Sequence, residues 1–169
     1  MKYAEARHLI NDGDLIAVKG TDWISKIIIF VTKQYSHTAI AIHLDDGVWV
    51  SQMQPSGNNL VPLSHFKIFD VYECPVDGKA VAAFIKIKLR DPISYPFLDL
   101  VMAGLTSITN FKFPSTSKGL ICSEACMEAY VENGWEETYF KEHGVKLELI
   151  PVPSPRWIAS KVKFKLSVE

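Results

Sequence analysis

The sequence predicts an α+β fold in which antiparallel strands pack against helices. One indication is a hairpin pattern, because two strand-like runs flank the turn Asp45-Asp46-Gly47. A second is that helical and strand-like segments are mixed without the regular alternation that builds a parallel sheet. The third is composition, since a chain of 169 residues that is 48% hydrophobic can bury a core without disulfides or metal. We therefore expect a single domain over residues 1–169.

The hairpin is the clearest local element, with strands predicted over Ser36–Leu44 and Val48–Met53 on either side of the turn. The run Ile27–Ile29 favours a strand as much as a helix, and the alternation Phe84–Leu89 leaves the same choice open. The remaining predicted elements are a helix over 2–11, a strand over 14–18, a helix or strand over 23–33, a loop over 55–59, a strand over 66–72, a helix or strand over 78–90, helices over 96–109 and 123–133, and a strand over 162–166.

Charge and cysteine content exclude several classes of protein. The formal net charge of −1 gives no electrostatic basis for nucleic-acid binding. Cys74, Cys122 and Cys126 are too few for a disulfide framework, and their odd number fits a reducing compartment. The spacing of Cys122 and Cys126 matches neither a redox pair nor a zinc knuckle, and the glycines form no phosphate-binding pattern. We therefore expect no cofactor and no metal.

The N-terminal residues lack the uninterrupted apolar stretch of a signal peptide. The two most apolar runs, 23–32 and 97–108, are too short to span a bilayer. These features predict a cytoplasmic protein without a transmembrane segment, which reaches another compartment only through a separate delivery system. The oligomeric state is not readable from the sequence.

Cys122 is the candidate nucleophile. It lies where the predicted helix 123–133 begins, so its sulfur is exposed to the positive end of the helix dipole and to unpaired N–H groups. Both favour the thiolate, and the same N–H groups can stabilise an oxyanion. A cysteine near the start of a helix is equally often a small, buried apolar side chain with no chemical role.

His37 and Gln52 are candidates for the base and for the group that orients it. Along the first strand of the hairpin, His37, Ala39 and Ala41 share one face, and small neighbours leave room for another element to approach. Gln52 lies on the return strand beside it, where an amide can fix the tautomer of an imidazole. Ser51 points the opposite way and is the weaker candidate. Both residues also fit purely structural roles, as a histidine at a strand end and a polar residue on a half-exposed strand.

The order of these motifs resembles the circularly permuted branch of the NlpC/P60 papain-like cysteine hydrolases, the YiiX-like group. The matching segments are Gly13-Asp14-Leu15-Ile16, Tyr35-Ser36-His37-Thr38-Ala39-Ile40, the Asp46-Gly47 hairpin with Val48–Met53, Leu60-Val61-Pro62-Leu63, Ile121-Cys122-Ser123-Glu124 and Pro153-Ser154-Pro155. In ordinary papain-like enzymes the nucleophile precedes the histidine. Here the histidine comes first, and 84 residues lie between His37 and Cys122.

The resemblance implies a papain-like antiparallel sheet or half-barrel packed against helices, with Cys122 as nucleophile, His37 as base and Gln52 in the third, polar position. An acidic residue is more usual at that position, so the neutral amide predicts weaker support for an imidazolium. The implied activity is that of a cysteine amidase or peptidase on peptides, including peptidoglycan fragments. One alternative of the same fold is an acyltransferase or thiol lipase acting on acyl lipids, for which the helix predicted over 96–109 is either an acyl-binding wall or part of the core. Another is a non-catalytic binding or structural module, with a phage-associated protein as one candidate of this kind.

Overall fold

The computed structural model of the protein describes residues 1–19, 35–54, 57–89, 122–149 and 153–169. Their strands form a six-stranded, fully antiparallel sheet in the order β4-β3-β2-β1-β5-β6. The strands are β1 (Leu15–Val18), β2 (His37–Leu44), β3 (Gly47–Gln54), β4 (Gly57–Pro62), β5 (Phe69–Tyr72) and β6 (Phe164–Val168). The helices are α1 (Tyr3–Ala6), α2 (Gly78–Lys88), α3 (Cys122–Val131), α4 (Trp135–His143) and α5 (Pro155–Ala159), with a 3₁₀ turn over Leu63–His65.

The α+β class and the antiparallel sheet are confirmed, and so is the hairpin, in which Leu44 pairs with Gly47 across the turn. The segment over 78–90 is a helix, because Val81, Ala82 and Ile85 are buried together at helical spacing while Ile87 is exposed. The predicted elements over 23–33 and 96–109 lie outside the described residues.

Two predictions about local structure were wrong, and two helices were missed. The loop over 55–59 is a strand from Gly57 onward, since β4 pairs with β3 along its whole length and forms the edge of the sheet. The N-terminal helix is one turn, Tyr3–Ala6, rather than ten residues. Helices α4 and α5 were not predicted, although Ser154 caps α5 and Pro155 follows it, which is a recognisable start signal.

Both faces of the sheet are covered by apolar side chains. On one face, the alternate residues of β1 and β2 pack with helices α2, α3 and α5, and they include Leu15, Ala17, Ile40 and Ile42. On the other, the intervening residues pack against α1 and the 3₁₀ turn, and they include Ile16, Val18, Ala39 and Ala41. The predicted alternation of β2 is therefore confirmed.

Strands β2 and β3 separate at one end, and this separation positions the candidate site. Their pairing runs from Leu44–Gly47 to Ile40–Ser51 and stops there. Beyond that point, His37–Ala39 pair with β1, and Gln52–Gln54 pair with β4. The sheet thus forks beside α3, which packs on β2.

Helix α3 is fixed to the rest of the fold at both ends. Near its start, the Ser123 hydroxyl donates to the carbonyl of Pro153 at 2.5 Å. Near its end, the Tyr130 hydroxyl donates to the carbonyl of Gly13 at 2.8 Å. Gly13 has a φ of 82°, and a Cβ there would lie 2.6 Å from the Cα of Gly78, so only glycine permits this close approach to α2.

Candidate active site

Cys122 is the first residue of α3, and only 2% of its surface is exposed. As in any α-helix, the N–H groups of its first turn have no partner within the helix, so Cys122 stands at the positive end of the helix dipole. The bond between Ser123 and Pro153 holds this end of the helix in place. The predicted position of the candidate nucleophile at a helix start is therefore found in the structure.

His37 is the first residue of β2, at the fork in the sheet. Its ring lies 6.5 Å from that of Phe66, centroid to centroid, on the face of the sheet that packs against α1. The thiol of Cys122 lies close enough to this ring to raise the pKa of His37. His37 begins β2, and β3 no longer pairs with β2 at this end of the sheet. The His37 side chain therefore approaches Cys122 past the end of the strand.

Gln52 completes the group. It is 5% exposed and lies on the face of β3 that also carries Val48 and Val50, as the sequence predicted. Its side chain lies close enough to His37 to help raise the pKa of that ring. Ser51 pairs with Ile40 and is on the helix-covered face, pointing away from Gln52.

The contacts around the imidazole are not all tight. The buried Nε2 atom of His37 has no regularly aligned hydrogen-bond partner among the described residues. At least one of the contacts to Cys122 and Gln52 is therefore loose. Catalytic hydrogen bonds are often long in a site without substrate and shorten when the complex forms.

The electrostatics of Cys122 and His37 are reciprocal. Burial alone would raise the pKa of the Cys122 thiol, but the adjacent His37, together with Thr38, outweighs burial and lowers it. Burial alone would lower the pKa of His37, but the charge and hydrogen bond of Cys122, with that of Gln52, raise it. Both shifts favour a thiolate beside an imidazolium.

The other two cysteines have the opposite tendency. Burial, reinforced by Asp14 and Asp77, raises the pKa of Cys74 to about 11. Burial also raises the pKa of Cys126, which lies one helical turn after Cys122. Cys122 is therefore the one cysteine of the chain whose surroundings favour the thiolate.

Thr38 belongs to the site and was not singled out in the sequence. Its side chain is fully buried, and its backbone and hydroxyl lie close enough to Cys122 to help lower the pKa of that thiol. The strand alternation placed Thr38 on the face opposite His37 but gave no sign that this face meets the nucleophile. That contact depends on where α3 packs, which is a tertiary feature.

Two further properties concern the described residues as a whole. No three side chains of His, Cys, Asp or Glu within them come together in a way that could hold a metal ion. None of the helices formed by these residues has the length and apolar character needed to cross a membrane.

No family model matches the sequence, and neither does any curated protein. Among solved structures, the chain is similar to the crystal structure of the metalloprotein yiiX from Escherichia coli O157:H7, a DUF1105 protein. The TM-score is 0.51 over 95% of this chain and 97% of the other, with 16% sequence identity. The chain therefore has a YiiX-like fold.

Proposed function

We propose that the protein is a cysteine hydrolase, an amidase or peptidase in which Cys122 attacks an amide carbonyl. The observation that carries this proposal is the contact between a buried cysteine at a helix start and a histidine, with the two pKa values shifted toward the thiolate and the imidazolium. Such an ion pair is a preformed nucleophile with its acid beside it. Gln52 on the other side of the ring supplies orientation.

The chemistry follows from these positions. The Cys122 thiolate adds to the carbonyl carbon, and the N–H groups at the start of α3 stabilise the oxyanion. When the C–N bond breaks, the His37 imidazolium gives its proton to the leaving nitrogen. Neutral His37 then takes a proton from water, whose oxygen attacks the thioester; the C–S bond breaks, the carboxylic acid is released, and the Cys122 thiolate is restored beside the His37 imidazolium.

We further infer that the chain is a single permuted papain-like domain of the NlpC/P60 type. The support is the order of the motifs in the chain, with the histidine on β2 and the cysteine at the start of the later helix α3, together with the YiiX-like fold. Gln52 stands where an acidic residue is more usual in that group. Amide side chains serve as orienting residues in other papain-like proteases, so the substitution is compatible with activity.

The substrate class that we propose is a peptide amide, including the stem peptides of peptidoglycan. The structure of yiiX is described as that of a metalloprotein. The steps proposed above need only Cys122, His37 and the N–H groups at the start of α3. The apolar helix that sequence patterns place over 96–109 lies outside the described residues, so no observed groove favours an acyl-lipid substrate.

The first test is selective alkylation. With limiting iodoacetamide near neutral pH, we expect Cys122 to be labelled far faster than Cys74 or Cys126, because its thiolate is stabilised while theirs is not. Mass spectrometry of the digested protein measures the label at each site. Unfolded protein is the control, in which all three thiols should react at similar rates.

The second part of the test is activity. Wild-type protein and Cys122→Ser are incubated with peptidoglycan stem peptides and, separately, with an acylated phospholipid, and the products are identified by mass spectrometry. Cleavage of peptide amides by the wild type alone supports the amidase. Even labelling of the three cysteines in folded protein, with no cleavage of either substrate, would leave a non-catalytic module as the better explanation.

A further inference from the structure

We propose that Ser123 is a positioning residue for the nucleophile and that the segment Pro153-Ser154-Pro155 is the rigid support to which it bonds. This inference rests on the proposed function, because the position of the Cys122 sulfur matters only if that sulfur reacts. It gives a role to the residue that follows the nucleophile and to a motif late in the sequence, neither of which takes part in the proposed steps.

The Ser123 side chain is fully buried, and its hydroxyl has a defined partner. Its Oγ donates to the carbonyl oxygen of Pro153 at 2.5 Å. A carbonyl oxygen can only accept, so the single proton of the hydroxyl is committed to this bond. Cys122 is joined to Ser123 by one peptide bond and is the first residue of α3. The bond from Ser123 therefore sets where the first turn of the helix, and with it the cysteine, lies relative to the rest of the fold.

The acceptor of this bond lies in a segment with little conformational freedom. Pro153, Ser154 and Pro155 are all buried, and the two proline rings fix φ on either side of Ser154. Ser154 has the extended backbone expected before a proline, with φ −83° and ψ 159°. Its own hydroxyl accepts from the backbone N–H of Trp157 at 3.1 Å and caps α5. The Pro153 carbonyl is thus presented to α3 from a segment that cannot easily move.

Helix α5 ties this segment to the core on which α3 lies. The two helices pack together, and Ile158 of α5 and Cys126 of α3 are buried in one apolar cluster. The strand ladder cannot give the same support, because the pairing of β2 with β3 ends at Ile40–Ser51 and the sheet forks beside α3. The bond from Ser123 to Pro153 thus joins the start of α3 to the element that packs beside it.

A small displacement at the start of α3 has a large chemical consequence. The first turn of a helix lacks partners for its N–H groups and opens more easily than the middle. A reacting group that is misplaced by about 1 Å can lose about 100-fold in rate. If the Ser123 bond positions Cys122, its loss should therefore slow the reaction far more than the modest change in stability would suggest.

Helix α3 provides a matched control at its other end. The Tyr130 hydroxyl is also fully buried and donates to the carbonyl of Gly13 at 2.8 Å. Tyr130 lies about two helical turns after Ser123. The two bonds are of the same kind and hold the same helix, but only the bond of Ser123 adjoins the nucleophile. A purely stabilising role predicts similar effects when either hydroxyl is removed, and a positioning role predicts different ones.

The test compares Ser123→Ala and Tyr130→Phe with the wild type, since each substitution removes one buried hydroxyl. The readouts are kcat and KM for cleavage of a peptidoglycan stem peptide, the pH dependence of Cys122 alkylation by iodoacetamide, and unfolding in urea. We expect Ser123→Ala to lower kcat by about 10- to 100-fold with KM nearly unchanged. Its alkylation midpoint should move toward that of a free thiol, because the sulfur is no longer held at the helix start. Tyr130→Phe should lose a similar resistance to urea and keep the kcat and the midpoint of the wild type.

Ser154→Ala is a second variant, which loosens the support by removing the cap of α5 while Ser123 stays in place. It should lower kcat in the same direction by a smaller factor. If Ser123→Ala does not fold, Ser154→Ala takes its place in the comparison with Tyr130→Phe.

The outcomes distinguish this inference from the proposed function. Substitutions at Ser123 and Ser154 that reduce the resistance to urea but keep the kcat and midpoint of the wild type would overturn the positioning role and leave the hydrolase proposal intact. A loss of kcat in Tyr130→Phe as large as that in Ser123→Ala would also overturn it, because the effect would then follow stability rather than position. Wild-type protein that cleaves no peptide, and whose Cys122 is alkylated no faster than Cys74, would overturn the proposed function and this inference with it.

Discussion

Two buried polar clusters on the same sheet differ in how fully their hydrogen bonds are satisfied. One surrounds Asp70, whose oxygens accept from the Tyr35 hydroxyl at 2.6 Å, the Ser167 hydroxyl at 2.6 Å and the Lys19 ammonium at 2.9 Å. The Tyr35 hydroxyl also lies 2.6 Å from that of Tyr72. We call these five residues the Asp70 cluster. Its carboxylate has a donor on each oxygen.

The other cluster is the candidate site, formed by Cys122, His37, Gln52 and Thr38. Here the Nε2 atom of His37 and the Oγ1 atom of Thr38 are buried without a regularly aligned partner among the described residues. Buried polar groups are normally paired, so exceptions need an explanation. The Asp70 cluster stabilises the fold by being complete. In the proposed hydrolase, this unused hydrogen-bonding capacity serves the reaction.

The two clusters are also joined through the chain. Tyr35 precedes His37 by two residues, and Lys19 follows Val18, which pairs with His37. The Asp70 cluster therefore fixes the chain on both sides of the pair that carries the candidate base. A catalytic group works only if its supports are rigid, so the complete cluster holds the incomplete one in position.

The largest difference between the clusters should appear when His37 is replaced. In His37→Ala, Cys122 loses the cation that outweighs its burial, so the pKa of the thiol should rise to or above its ordinary value near 8.5. Loss of the general acid and base should reduce hydrolysis by about 10²- to 10⁴-fold. Stability should change by less than about 1 kcal/mol, because His37 has no complete set of hydrogen bonds to lose.

The measurements for His37→Ala are the pH dependence of alkylation, the rate of cleavage and a urea unfolding curve. His8→Ala, which replaces an exposed histidine, is the matched control and should change none of them. A variant that unfolds easily but keeps a reactive Cys122 would show that His37 is structural and that the division between the clusters is wrong.

Asp70→Asn should give the opposite pattern, with a loss of stability of about 2–3 kcal/mol, since hydrogen bonds to a charged group are replaced by weaker ones. Burial would raise the pKa of Asp70, but Ser167, Tyr35 and Lys19 outweigh it and lower the pKa. A carboxylate with a depressed pKa stabilises the fold above its unfolded value of about 4, and this contribution is lost as the pH falls further.

Urea unfolding of the wild type and Asp70→Asn at a series of pH values tests this prediction. The stability difference should be constant near neutral pH and should shrink below about pH 4. The ratio of Cys122 to Cys74 labelling should stay high while the variant is folded. Equal pH profiles for the two proteins would mean that the Asp70 carboxylate is not the group that stabilises this cluster.

The sequence predicts some elements well because their signals are local. The turn Asp45-Asp46-Gly47 marks a hairpin whatever surrounds it. The alternation along β2 follows from the period of two that any strand has, which divides its buried residues between the two faces of the sheet. Strand β4 was missed because Gly57, Asn58 and Asn59 are residues typical of turns, whereas an edge strand tolerates them. The choice for 78–90 required knowing that Val81 and Ile85 pack against the sheet.

The candidate site shows the same limit. Cys122 at a helix start, His37 at a strand end and Gln52 on the return strand were each predictable as positions, but their meeting was suggested only by the order of motifs along the chain. The contact itself depends on the fork beyond the Ile40–Ser51 pair, which no short sequence pattern encodes. Thr38 could not be found in the sequence for this reason.

The smallest expected effect, and the one that defines the edge of the site, concerns Gln52. If its amide orients His37, then Gln52→Ala should slow Cys122 alkylation and hydrolysis by about tenfold or less, because the base remains and only its orientation is lost. Gln52→Glu should keep or raise the reactivity, since a carboxylate stabilises the imidazolium that pairs with the thiolate.

Ser51→Ala, on the adjacent residue of β3 but on the other face, is the matched control. The pH dependence of alkylation in these variants distinguishes an orienting role for Gln52 from a structural one. If the role is purely structural, both substitutions should change unfolding in urea and leave the midpoint of Cys122 alkylation unmoved. Three coincident curves would remove Gln52 from the site and leave a pair of Cys122 and His37 as its functional core.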